Sequence, residues 1–152
     1  MNRTYNGFEL PLYQKPVYAY TSVQLDNGVA YVSGSVPKTG DVDLYPGKLG
    51  KDVTVEQAQD AARLAVMNSL ASLDNVLGSL DAVRKVLKMT VFVASAPGFN
   101  LQPKVADAAS ELLAKIFEER GLHARSAVGV AELPRNSCVE IELTVAVGGE
   151  FG

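Results

Sequence analysis

The stretch that decides the fold is ARSAVGVAELPRNSCVEIELTVAV, residues 124–147. Its second half alternates. Val139, Ile141, Leu143, Val145 and Val147 fall on one side of an extended chain, and Glu140, Glu142 and Thr144 on the other. That pattern predicts a strand with one face in a helix-covered core. The first half, ARSAVGVAEL, reads as another strand, and Pro134-Arg135-Asn136 as a short polar turn between the two. The segment is thus expected to be a terminal hairpin.

Upstream, a helix is expected from about Pro103 to Gly121. Its apolar stripe is Val105, Ala108, Ala109, Leu112, Leu113, Ile116 and Phe117. Residues 84–95 read as a strand stopped by Pro97-Gly98. Before it, Thr54 and Gln57 have capping-box spacing at the head of a second helix. That helix carries an alanine-rich stripe (Ala58, Ala61, Ala62, Ala65) and stops at Gly78, where glycine suits the left-handed cap. Two further strands, over 17–23 and 28–36, flank the turn signal Asp26-Asn27-Gly28. Residues 37–53 read as a polar connection, and residues 1–16 as an irregular arm ahead of a single domain over 17–152.

The order is β-β-α-β-α-β-β, an α+β arrangement whose economical packing is two helices on one face of a mixed sheet. The second strand (Val29, Tyr31 against Ala30, Val32) and the third (Met89, Val91 against Thr90, Phe92) are apolar on both faces. No element is left over to cover the second face, so self-association is expected.

Composition excludes much chemistry. One histidine, His123, and one cysteine, Cys138, cannot build a zinc site of the usual His/Cys kind or an internal disulfide. Neither G-x-S-x-G nor a phosphate-binding glycine loop is present. No cofactor or metal is therefore expected. Fourteen Lys and Arg against seventeen Asp and Glu, without clustering, argue against a nucleic-acid partner. Nothing reads as a membrane span or leader, so a cytoplasmic protein is expected.

Two carboxylates on an uncovered sheet face need partners. Arg125 begins the strand before the turn and is expected to come near Glu140. One reading of the two is an interface ion pair. The other is a ligand site, with the planar arginine fork taking a substrate carboxylate and the glutamate holding a water. Ser33-Gly34 is either a bulge or a place where a ligand approaches backbone. Tyr20 is either a pocket wall or a cross-strand aromatic, and His123 reads as a packing residue.

The strand YVSGSVP and the segment ARSAVGVAELPRNSCVEIELTVAV resemble the Rid (RidA/YjgF) family, whose signature runs A-R-S-x-V-x-V-A-x-L-P and then V-E-I-E. The middle of the chain is similar to a longer Rid-like subgroup often labelled endoribonuclease L-PSP. The resemblance covers nearly everything after Pro16. It implies a chorismate-mutase-like fold and a homotrimeric barrel with clefts between subunits. It also implies hydrolytic deamination of small enamine or imine carboxylates to 2-oxo acids and ammonia. Within it, Arg125 matches the carboxylate-binding arginine and Glu140 the water-orienting glutamate. Tyr20, Ser33, Gly34 and Ala127 match substrate-binding positions. The deaminase branch often has cysteine at position 127, and the asparagine that some family members supply from the second helix has no secure match here, with Asp107 or Ser110 nearby. The alternative expectations are a trimer that binds small carboxylates without turnover and a related tautomerase or degradative step. The acidic balance and single histidine speak against ribonuclease action.

Overall fold

The computed structural model describes residues 3–151. Met1, Asn2 and Gly152, at the ends of the expected arm and domain, lie outside the described residues. In chain order the strands and helices are β1 (Thr4–Tyr5), β2 (Phe8–Glu9), β3 (Val23–Asp26), β4 (Val29–Ser35), β5 (Lys38–Thr39), β6 (Val42–Asp43), α1 (Val55–Leu77), β7 (Val83–Ala94), α2 (Gln102–Phe117), β8 (Ala124–Val130) and β9 (Val139–Val147).

Both helices follow their sequence signals. Thr54 Oγ1 accepts from the Gln57 N–H at 3.1 Å, and Gln57 Oε1 accepts from the Thr54 N–H at 3.0 Å. These two bonds satisfy free donors at the start of α1. Gly78 ends it with φ of 82°, a conformation that disfavours residues with a Cβ. The expected stripe of α2 is buried from Val105 to Phe117. Among the described residues no helix is long and apolar enough to cross a membrane.

A five-stranded sheet has the order β3-β4-β9-β7-β8, antiparallel except for the β7–β8 pair. The expected terminal hairpin is therefore corrected, because β8 and β9 do not pair. β7 runs between them, bonded to both. The reason lies in the α2 crossover, which returns the chain parallel to β7 on its outer edge. Residues 131–138 then pass around the end of β7, where the Ser95 N–H donates to the Val130 carbonyl and the Ala94 N–H to the Cys138 carbonyl. Eight residues readily span two strand spacings, roughly 10 Å.

Three smaller differences appear. Residues 17–20 form no strand, and Val17 and Tyr18 are exposed. The β3–β4 ladder ends at Val23–Val32, where β4 bulges against β9 at Ser33-Gly34. The arm is not wholly irregular, since β1 and β2 form a hairpin over the left-handed Asn6-Gly7 turn. That hairpin is tied down through Asn6 Nδ2 to the Lys115 carbonyl and the Tyr5 hydroxyl to Asp74. The connection 37–53 carries the β5–β6 hairpin.

Registers show which side chains share a face. The row Val23–Val32–Leu143–Met89–Arg125 points toward the helices, and every member but Arg125 is buried. Val139, Ile141, Leu143, Val145 and Val147 all lie in that core, as their alternation predicts. The row Glu140–Phe92–Val128 points the other way. That open face is mixed rather than apolar. Tyr31 and Val128 are exposed on it beside Glu142 and Thr144, and no described element covers it.

Candidate functional site

A cleft of about 600 Å³ opens beside the Ser33-Gly34 bulge of β4. One wall is the segment Gln14–Tyr20, a second is Ser33–Val36 with Lys38, and the floor includes Asn68 and Ser72 of α1. Arg135 and Glu140 close the far side. The walls are held together by backbone-directed bonds. Asn68 Nδ2 donates to the carbonyls of Val36 and Lys38 at 3.0 Å each, and Gln14 Nε2 donates to the Lys38 carbonyl at 3.0 Å. Arg135 and Asn136 both adopt left-handed backbone, with φ of 61° and 56°. The strained turn carries Arg135 onto Asp43, where Nε and Nη2 grip the two carboxylate oxygens at 2.7 and 3.0 Å. This fork ties the β8–β9 connection to the β5–β6 hairpin.

Four of the six expected site residues meet here. Tyr20, Ser33, Gly34 and Glu140 all line the cleft. The Ser33 hydroxyl is committed to its own turn, donating to the Thr21 carbonyl at 2.7 Å. Gly34 has a packing reason to lack a side chain. A Cβ there would collide with the Glu140 carboxylate, whose Cδ would lie 2.9 Å away. The Ser33-Gly34 bulge thus seats the Glu140 head group against backbone. Burial, reinforced by the like charge of Glu142, pushes the Glu140 carboxyl above its usual range. A carboxylate shifted in this direction is a stronger proton acceptor.

Arg125 and Ala127 do not join the others, which corrects the expected approach of Arg125 to Glu140. The two lie two strands apart because β7 runs between β8 and β9, and they face opposite sides of the sheet because Arg125 is in register with Met89 and Glu140 with Phe92. Arg125 instead meets α2. Its Nη1 donates to Asp107 Oδ1 at 2.8 Å and to Ser110 Oγ at 3.1 Å. Ala127 sits two residues along the same helix-facing side, opposite Val91.

Sequence reasoning missed the cleft floor. Asn68 and Ser72 fall seven and eleven residues after Ala61, within the buried stripe of α1, and polar side chains at those positions were the available signal. Lys38 and Arg135 offered no such signal, since their placement depends on turns. Cys138 is fully buried, and burial pushes its thiol up to about 11, which keeps it protonated and unreactive at neutral pH. Among the described residues no group of three or more His, Cys, Asp or Glu side chains could hold a metal ion.

Comparison with known proteins places this geometry in context. Residues 3–146 match the YjgF/chorismate mutase-like family, whose description also carries an endoribonuclease label. Protein TCP17 of Trypanosoma cruzi is 40% identical over 140 residues, 91% of this chain and 88% of its own length. A 2-iminobutanoate/2-iminopropanoate deaminase of Dermatophagoides farinae is 31% identical, over 90% of this chain and 92% of its own length. The crystal structure of Atu1372 from Agrobacterium tumefaciens superposes with a TM-score of 0.83 at 40% identity, covering 89% of this chain and 85% of that one. With a match across nearly its whole length and the family's sheet and helix arrangement, this chain belongs to the YjgF/chorismate mutase-like, or Rid, family.

Proposed function

We propose that this protein hydrolyses small reactive enamine or imine carboxylates to 2-oxo acids and ammonia without a cofactor. The observation that carries the reading is the Glu140 carboxylate, seated against Gly34 in a cleft beside Tyr20 with its basicity raised. Glu140 takes a proton from a water as that water adds to the carbon of the C=N bond. That proton passes to the nitrogen to give a carbinolamine. Its hydroxyl proton is then also moved to the nitrogen as the C–N bond breaks, so ammonia departs and the carbonyl of the 2-oxo acid forms. Arg125 binds the substrate carboxylate through its planar fork.

Arg125 and Glu140 cannot serve one ligand within a single chain, since they face opposite sides of the sheet. The reading therefore requires an oligomer, and we propose a trimer whose clefts lie between subunits. In it the partner subunit's Arg125 faces the Glu140 cleft, and the open sheet face with Tyr31 and Val128 is covered. The related deaminase supports the reaction class. The test is ammonia release from 2-aminoacrylate generated in situ from serine by a dehydratase. Acceleration by the wild type that is lost in both Arg125→Ala and Glu140→Gln is expected. No acceleration by the wild type would sink the proposal.

A second reading, a carboxylate-binding sensor without turnover, draws on the Asp107 carboxylate already paired with Arg125. Saturable binding of a 2-oxo acid by a protein that never releases ammonia would favour it.

A further inference from the structure

On the helix side of the sheet edge, two side chains of α2 meet one from the chain just before β8 and one from its start. Asp107 and Ser110 are three residues apart and share one face of α2. His123 and Arg125 are two residues apart on extended chain and share one side of it. His123 Nδ1 lies 2.7 Å from the Gly121 carbonyl oxygen. A carbonyl can only accept, so Nδ1 carries the hydrogen, and in the neutral ring Nε2 is left as an acceptor. Ser110 Oγ lies 2.9 Å from Nε2, so the hydroxyl donates to the ring. That leaves the Oγ lone pairs to accept from Arg125 Nη1 at 3.1 Å. With the ring neutral, each donor and acceptor along the line from Gly121 to Arg125 has a single direction.

The consequence falls on the guanidinium. Nη1 spends its hydrogens on Ser110 and Asp107, while Nη2 has only a marginal contact with the Pro103 carbonyl at 3.5 Å. Nε has no acceptor among the described residues. The edge formed by Nε and Nη2 is therefore the one left to grip a carboxylate with two parallel bonds. Arg125 also keeps about a quarter of its side chain exposed, so that edge can be reached.

We infer that Ser110 and His123 are positioning residues that hold Arg125 so its Nε–Nη2 edge receives the ligand carboxylate. This rests on the proposed role of Arg125 and adds the residues that orient it and the geometry of the contact. Neither Ser110 nor His123 touches the ligand. Each acts through the guanidinium, so its loss weakens binding while leaving proton transfer at Glu140 in place.

The experiment compares wild type with Ser110→Ala, Ser110→Thr, His123→Phe and Arg125→Ala. Its readouts are steady-state deamination of 2-iminobutanoate and calorimetric binding of 2-oxobutanoate. Ser110→Ala and His123→Phe should each raise KM and the 2-oxobutanoate Kd by about tenfold, the effect of one hydrogen bond to a charged group. Their kcat should change by less than about twofold, and Ser110→Thr, which keeps the hydroxyl, should restore both constants. In nitrogen NMR of the free protein, His123 should show the Nδ1-protonated ring, and 2-oxobutanoate should shift the Arg125 Nε signal. Unchanged KM and Kd in variants whose unfolding midpoints match wild type would overturn the inference. So would a fall in kcat at constant KM. If the wild type binds 2-oxobutanoate without turning over the imine, deamination fails and the Kd values alone decide the inference. If the wild type binds no 2-oxobutanoate, or Arg125→Ala binds it equally well, the inference falls with the role of Arg125.

Discussion

At the scale of single residues the cleft turns on the contact between Gly34 and Glu140. Alanine at 34 meets only the far end of the Glu140 side chain, which can swing aside. Gly34→Ala should therefore leave the unfolding midpoint nearly unchanged while turnover drops on the order of a hundredfold, as a misplaced reacting group commands. A midpoint that collapses together with activity would show that position 34 serves the fold instead. Glu140 also makes a pH prediction. Its carboxyl is raised in the folded chain by burial and then by Glu142. Below the ordinary carboxylate range both folded and unfolded chains carry the neutral acid, and Glu140 costs nothing. As pH climbs through that range, about 4.3, the unfolded chain ionises first and the native state loses stability until its own raised value is passed. Glu140→Gln removes this penalty. The variant's advantage in thermal midpoint over wild type should be absent near about pH 4 and grow toward neutrality. An advantage independent of pH would contradict the assignment.

Among the elements, α1 serves both the core and the cleft. Asn68 bonds two carbonyls of the chain entering the β5–β6 hairpin, so Asn68→Ala removes one bond from each and loosens one wall, leaving Lys38 N–H on Val36 and Gln14 Nε2 on Lys38. A loss of about 1–3 kcal/mol in chemical denaturation is expected, the net worth of two hydrogen bonds at roughly 0.5–1.5 kcal/mol each. Elements of this kind were legible in the sequence wherever one local rule governs them. Thr54, Gln57 and Gly78 bound α1 as read, and the odd-numbered residues from Val139 to Val147 fill the core as read. Pairing between elements was not legible. Pro134-Arg135-Asn136 looks like a hairpin turn, yet the parallel return of β8 leaves no room for one. Val17 to Tyr20 have strand composition but join no strand, because the β3–β4 ladder ends at Val23–Val32, where the Ser33-Gly34 bulge interrupts β4. The site was half legible for the same cause. Residues of β4 and β9 follow from a single register, whereas the separation of Arg125 from Glu140 depends on strand order.

For the whole molecule, two features point beyond one chain. The sheet has a face that no described element covers, and the paired residues of the proposed chemistry lie on opposite sides of it. The placement of Arg125 on the outermost strand and Glu140 on the central one has a genetic consequence. If every site borrows its arginine from a neighbour, two dead proteins can repair each other. Arg125→Ala and Glu140→Gln chains would each be inactive alone. Co-expressed in equal amounts and assembled at random, they place an intact arginine beside an intact glutamate in about one site in four. Such mixtures should recover about a quarter of wild-type ammonia release, while chains that each held a complete site would recover none. Two defective alleles of this one gene would then complement.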